Sequence, residues 1–174
     1  LSTQSQDSVE VLDEHKSPVR VLAASPDHSY VASCGWDGTI FIRDANNGAV
    51  TAQLDEHRRG IHAAVFSPDS KLFASCGVDQ TARLWDVKTG TELFTLTGHT
   101  GGVWDVAFNS DGSRLVTCSD DNTIRIWDTR TGEEVMQPLQ GHTRRIMAVA
   151  FSPNDFYVLS CSADNTMRLW NADS

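Results

Sequence analysis

Residues 99–128 read HTGGVWDVAFNSDGSRLVTCSDDNTIRIWD, and this stretch is the clearest copy of a unit that occurs four times. His15, His57, His99 and His142 are spaced by 42, 42 and 43 residues. Trp85, Trp127 and Trp170 share a second phase, and Arg43 stands where the first copy should carry its Trp. A Ser/Thr–Cys–x–x–Asp group recurs with the same period, running from Ser33 to Asp37, Ser75 to Asp79, Thr117 to Asp121 and Ser160 to Asp164. A period of this length marks a fold built from one repeated supersecondary unit.

Within the third copy, residues 103–108 are apolar and β-rich, and Asn109, Ser110, Asp111 and Gly112 form a turn signal. Residues 114–118 read as a second strand, Asp121-Asn122 as a tight hairpin turn, and residues 123–127 as a third strand. Ile124 and Ile126 share one face of that strand while Thr123, Arg125 and Trp127 share the other, the two-residue alternation of a sheet. Residues 134–139 read as a fourth strand, with Pro138 placing it at a sheet edge because Pro has no N–H to give a ladder. The unit is a four-stranded antiparallel meander, too small to stand alone, so it must stack on its neighbours.

The polar residues of the unit account for one another. A buried indole needs an acceptor and a buried imidazole needs partners on both nitrogens. Trp127, Thr117, His99 and Asp121 form one chain of indole, hydroxyl, imidazole and carboxylate. Trp85, Ser75, His57 and Asp79 repeat it, as do Trp170, Ser160, His142 and Asp164; the first copy offers Ser33, His15 and Asp37 without the Trp.

The chain has 174 residues, 40% hydrophobic and 21% charged, which suits a globular domain with a real core. No apolar run approaches membrane-spanning length, and the polar, acidic N-terminus shows no signal peptide. The chain begins with Leu1 rather than Met, so the natural start is expected upstream. A net charge of −9 argues against nucleic acid as a partner. Cys34, Cys76, Cys118 and Cys161 occupy one position of four repeats, too far apart for disulfides, and read as small buried hydrophobes in a reducing, cytoplasmic setting.

These features resemble the WD-repeat β-propeller family. The matching residues are Gly98-His99, Gly141-His142, Trp85-Asp86, Trp127-Asp128, the near-match Trp170-Asn171 and the turn residues Asp37, Asp79, Asp121 and Asp164. The resemblance covers residues 8–174 with repeats at 15–56, 57–98, 99–141 and 142–174, and implies an all-β propeller of four WD repeats per chain. Glu14 and Glu56 replace the family's Gly before His, and the first blade is expected to be the least regular. Residues 8–14 resemble an outermost strand with no first three strands before it, while the chain stops just after a third strand. That phase implies a ring closed by pairing the first strand with the last blade.

Four blades in one ring would require wedges of about 90°, against about 51° for seven and about 45° for eight. The innermost strands carry Ala23, Ala24, Ala63, Ala64, Ala107, Ala148 and Ala150, with no bulk to splay the blades that far. The expectation is a homodimer forming one eight-bladed ring, each chain donating the strand that runs from Val9 to Leu12 to its partner's last blade. A fragment of a longer array and a four-bladed monomer stay open.

Ser75, His57 and Asp79 look like a hydrolase triad, but the trio recurs four times and no G-x-S-x-G, zinc spacing or phosphate loop accompanies it. A non-enzyme without cofactor or metal is expected. By resemblance, partners meet the face carrying the loops before the first strand and between the second and third. The matching positions are Trp36, Val78 and Asp120 before the turn Asp, Arg20, His62, Trp104 and Met147 near the first strand, and Arg145 two residues earlier. Trp36 and Trp104 do not repeat, which makes them candidate anchors for a protein or peptide, although each can equally pack on a neighbouring loop. Arg58, Arg59, Arg144 and Arg145 are expected to be a solvated rim balanced by Asp13, Glu14, Asp55 and Glu56, with an acidic partner as the alternative. The chain reads as a binding scaffold; the sensor end of a larger regulator and a sugar- or small-ligand-binding propeller remain as alternatives.

Overall fold

The computed structural model describes residues 12–173, and its regular elements are β-strands. Blade one comprises β1 (Val19–Ala24), β2 (Tyr30–Gly35), β3 (Ile40–Asp44) and β4 (Val50–Leu54). Blade two comprises β5 (Ile61–Phe66), β6 (Leu72–Gly77), β7 (Ala82–Asp86) and β8 (Thr91–Leu96). Blade three holds β9 (Val103–Phe108), β10 (Arg114–Ser119), β11 (Thr123–Asp128) and β12 (Leu139–Gln140). Blade four holds β13 (Ile146–Phe151), β14 (Tyr157–Ser162) and β15 (Met167–Asn171). Each blade is an antiparallel meander whose first strand meets the first strand of the next blade.

The turn between second and third strands is built the same way in blades two to four. The Asp carboxylate accepts from the backbone two residues on, as Asp121 Oδ1 does from Thr123 N at 2.9 Å. The intervening residue then takes a left-handed conformation, with φ of 67° at Asn122 and Asn165 and 69° at Gln80.

Residues 134–139 do not form the continuous fourth strand expected from sequence. Glu134 makes a single bridge to Trp127, and pairing resumes only at β12. This segment is one residue longer than its counterpart in blade two, and Pro138 cannot donate to the ladder. The surplus residue is accommodated as an irregular stretch of edge.

Blades pack face to face. The trailing face of blade one (Ala32, Cys34, Ile40, Ile42, Leu54) meets the leading face of blade two (Ile61, Phe66, Phe73, Trp85, Val87) in one core. The same contact recurs between blades two and three and between three and four. The alternation of the strands produces it, because one row of side chains serves each face. Cys34, Cys76 and Cys118 lie fully buried in these cores and burial pushes the Cys34 thiol up to about 12; Cys161, on the last blade, is exposed. The two end faces have no cover among the described residues. Leu22 is 78% exposed on the leading face of blade one, and Met167 and Leu169 are 72% and 60% exposed on the trailing face of blade four.

Candidate functional site

In blades two to four the polar chain closes. Trp85 Nε1–H donates to Ser75 Oγ at 2.9 Å, Ser75 meets His57 Nε2 at 2.8 Å, and His57 Nδ1 meets Asp79 Oδ2 at 2.9 Å. Trp127, Thr117, His99 and Asp121 repeat this at 2.9, 2.9 and 2.8 Å, and Trp170, Ser160, His142 and Asp164 at 2.8, 2.8 and 2.7 Å. Donor counting assigns the protons: the hydroxyl accepts from indole and donates to Nε2, and Nδ1–H donates to the carboxylate. Burial alone would raise the Asp79 and Asp121 carboxyls. Hydrogen bonds from His57 and His99, with the neighbouring backbone and threonines, hold both well below the ordinary range. The hydroxyls of Ser75, Thr117 and Ser160 are buried and already engaged, so none has the open approach a nucleophile needs.

Blade one departs as its sequence foretells. His15 Nε2 reaches Ser33 Oγ at 2.9 Å, but its Nδ1 stands 3.7 Å from Asp37 and has no partner among the described residues. Arg43, replacing the Trp, lies buried and turns to Glu14 at 2.5 Å and to the Gly48 carbonyl at 3.1 Å.

The rim residues singled out from sequence come together. The Arg20 guanidinium lies over Trp36 at 5.2 Å, and Trp36 approaches His62 at 5.9 Å. His62 stacks on Trp104 at 4.3 Å and 15°, and the Arg145 guanidinium covers Trp104 at 5.1 Å. The result is one ladder, Arg20–Trp36–His62–Trp104–Arg145, spanning all four blades. Its contacts carry cation–π and stacking attraction. Two hydrogen bonds pin it: His62 Nδ1–H donates to the Val103 carbonyl at 2.9 Å, and Trp104 Nε1–H donates to Asp120 Oδ1 at 2.8 Å. Gly60 makes room for it, since a Cβ there would lie 2.5 Å from the Trp36 ring. Trp36 therefore both packs on a neighbouring loop and remains 46% exposed, and Met147, at the blade-four position equivalent to His62 and Trp104, is 42% exposed. Val78 is half-buried beside Gly102 and adds little open surface.

The expected balance of rim charges does not form. Glu14 goes to Arg43 and Asp55 accepts from Gln53, while Arg20, Arg58, Arg59, Arg144 and Arg145 make no ion pair among the described residues. Long exposed side chains gain little from surface pairing, so Arg58, Arg59 and Arg144 stay solvated, while Arg20 and Arg145 lie over the tryptophans instead.

His62 is one of the rim positions expected from sequence, and the structure makes it the central rung of the ladder. One contact escapes sequence reasoning. Asp105 stands where blades two and four carry Ala63 and Ala148, and its carboxylate accepts from Val149 N at 3.0 Å, tying blade three to blade four. Burial raises its carboxyl above the ordinary range against these backbone bonds. A charged residue at a position that the other blades fill with Val21, Ala63 and Ala148 was the available signal.

A sequence model of the WD domain, G-beta repeat, matches the chain at residues 6–44, 48–86, 90–128 and 133–171. No curated protein matches it.

Proposed function

The chain belongs to the WD-repeat family, whose repeats generally scaffold protein–protein interactions, and from that premise we propose that it is a non-catalytic platform binding a protein or peptide across its rim. The observation that carries this reading is the Arg20–Trp36–His62–Trp104–Arg145 ladder, which does not repeat from blade to blade as core residues must. Tryptophan and arginine dominate interface energies, and here they are stacked together with no partner bound. Peptides selected on the native chain from a displayed library should lose affinity by at least about tenfold on W36A/W104A. Undiminished binding to the double variant overturns the reading. Free, mostly buried cysteines support placing the protein in the reducing cytoplasm.

A second reading concerns assembly: two chains form one eight-bladed ring. Leu12 supports it. It is 48% exposed, yet its counterparts Leu54 and Leu96 are buried between their own blade and the next at 1% and 3%. Residues 9–11, which would extend it into a donated strand, lie outside the described residues; in this reading they pair with the free edge of β15 in the partner. Light scattering on the intact chain should give about twice the 19.1 kDa of one chain.

A further inference from the structure

We infer that the partner of the rim ladder is an acidic peptide, with the guanidiniums of Arg20 and Arg145 each holding one carboxylate of the same short segment. The inference rests on the platform reading and names the chemistry of what the platform takes.

The cations of the chain are used unequally. Away from the rim, Arg43, Arg83, Arg114 and Arg125 each hold a carboxylate. On the rim, Arg20, Arg58, Arg59, Arg144 and Arg145 are exposed and have no ion pair among the described residues. Carboxylates are not scarce, since the chain has 23 acidic side chains against 14 basic ones. Those nearest the ladder are committed elsewhere. Asp37, Asp79, Asp121 and Asp164 accept from the backbone N–H groups of Lys16, Arg58, Thr100 and Thr143, and the last three also from imidazole. Asp120 Oδ1 accepts from the Trp104 indole at 2.8 Å.

A single exposed arginine is an ordinary solvated cation. Arg20 and Arg145 differ because each guanidinium carbon lies over an indole, at 5.2 and 5.1 Å. A guanidinium that faces a ring keeps the N–H groups in its own plane, and that planar fork matches a carboxylate. Neither side chain gives an N–H to the protein among the described residues. The backbone at both ends of the ladder is tied down within its own blade: Trp36 N–H donates to the Pro18 carbonyl and Ala163 N–H to the Arg145 carbonyl, each at 3.0 Å.

The span limits the partner. The four steps of the ladder measure between 4.3 and 5.9 Å, so its two guanidiniums stand at most about 20 Å apart. An extended peptide advances about 3.3 Å per residue, which puts the two carboxylates about six residues apart or fewer. Between them the segment passes the rings of Trp36, His62 and Trp104, and Trp36 is 46% exposed. An apolar residue flanked by two acidic ones fits that order of surfaces. A nucleic acid would bring a continuous line of phosphates, which the net charge of −9 and the rim carboxylates of Asp55, Glu56 and Asp120 repel. A peptide brings negative charge only where the guanidiniums are.

The probes are synthetic peptides with a central Phe and two glutamates set from about two to about ten residues apart, titrated calorimetrically into the intact chain. Binding should be tightest at spacings up to about six residues. It should fall at least about tenfold when both glutamates become glutamines. R20Q/R145Q should bind the acidic and amide peptides alike. D120N keeps an oxygen for the Trp104 indole and takes a negative charge off the rim, so it should bind the acidic peptide about two- to fivefold tighter. Equal binding of acidic and amide peptides by the native chain, while library peptides still depend on Trp36 and Trp104, overturns the acidic partner and leaves the platform standing. Library peptides indifferent to W36A/W104A overturn the platform and this inference with it. An oligothymidylate that binds more tightly than the acidic peptides makes the rim a nucleic-acid surface and also overturns the inference.

Discussion

A serine or threonine hydroxyl has one proton to give and lone pairs to receive, and each of blades two to four spends both at its centre. Ser75 accepts from the Trp85 indole and donates to His57 Nε2, and His57 gives its one N–H, at Nδ1, to Asp79. Replacing Trp85 with Phe removes that donor and leaves unfilled volume, so unfolding should cost about 2–4 kcal/mol less in denaturant titration. The equivalent site in blade one is Arg43, and R43A should cost less because no complete chain depends on it. Proton linkage has a definite sign. Asp79 and Asp121 have folded pKa values depressed below their unfolded value near about 3.9. Their contribution is whole above that value and is lost as pH falls through it toward the folded pKa. Thermal melts should therefore weaken from pH 5 to pH 3, and D79N should flatten that slope while costing about 1–3 kcal/mol at neutral pH. Asp105 has the opposite sign, its folded pKa being raised. D105N removes a costly buried charge yet keeps an oxygen for Val149 N, so the melting temperature at pH 7 should rise.

Loops and edges, rather than strand interiors, decide what each element presents. Gly60 is a flat place on which Trp36 lies, and a methyl there would meet the ring at 2.5 Å. G60A should displace the indole and weaken rim binding as W36A does, while leaving the cores intact; indole fluorescence would show the change without any partner. The interrupted edge of blade three makes a separate point. Sequence reading identifies Pro138 as an edge residue but takes the strand as continuous, because alternation does not reveal a surplus residue until its partner strand is present. P138T should lengthen β12 and increase amide protection around Gln140, measured by hydrogen exchange.

Across the whole molecule, identical faces have unequal fates. Ile40, Ala82 and Ile124 are fully or almost fully buried by the following blade, and Met167 at the same phase is 72% exposed. Covering Met167 and Leu169 is worth roughly 1.5–3 kcal/mol each, so an assembled protein should melt at higher temperature as its concentration rises. M167K should show no such dependence. The repeat, the number of blades in the chain, the strands apart from the fourth of blade three, and the tetrads of polar residues were legible in sequence. Each follows from local period and from the demand that buried donors find acceptors within one unit. The irregularity of blade one was legible too, since Arg43 and Glu14 break the pattern on its face. The rim ladder was legible only as separate candidates. Trp36, His62 and Trp104 belong to three different blades, and their stacking depends on how the blades sit side by side. The same holds for the bond from Val149 to Asp105. Those contacts join residues of different blades, where period fixes which residues are equivalent but only packing fixes which residues touch.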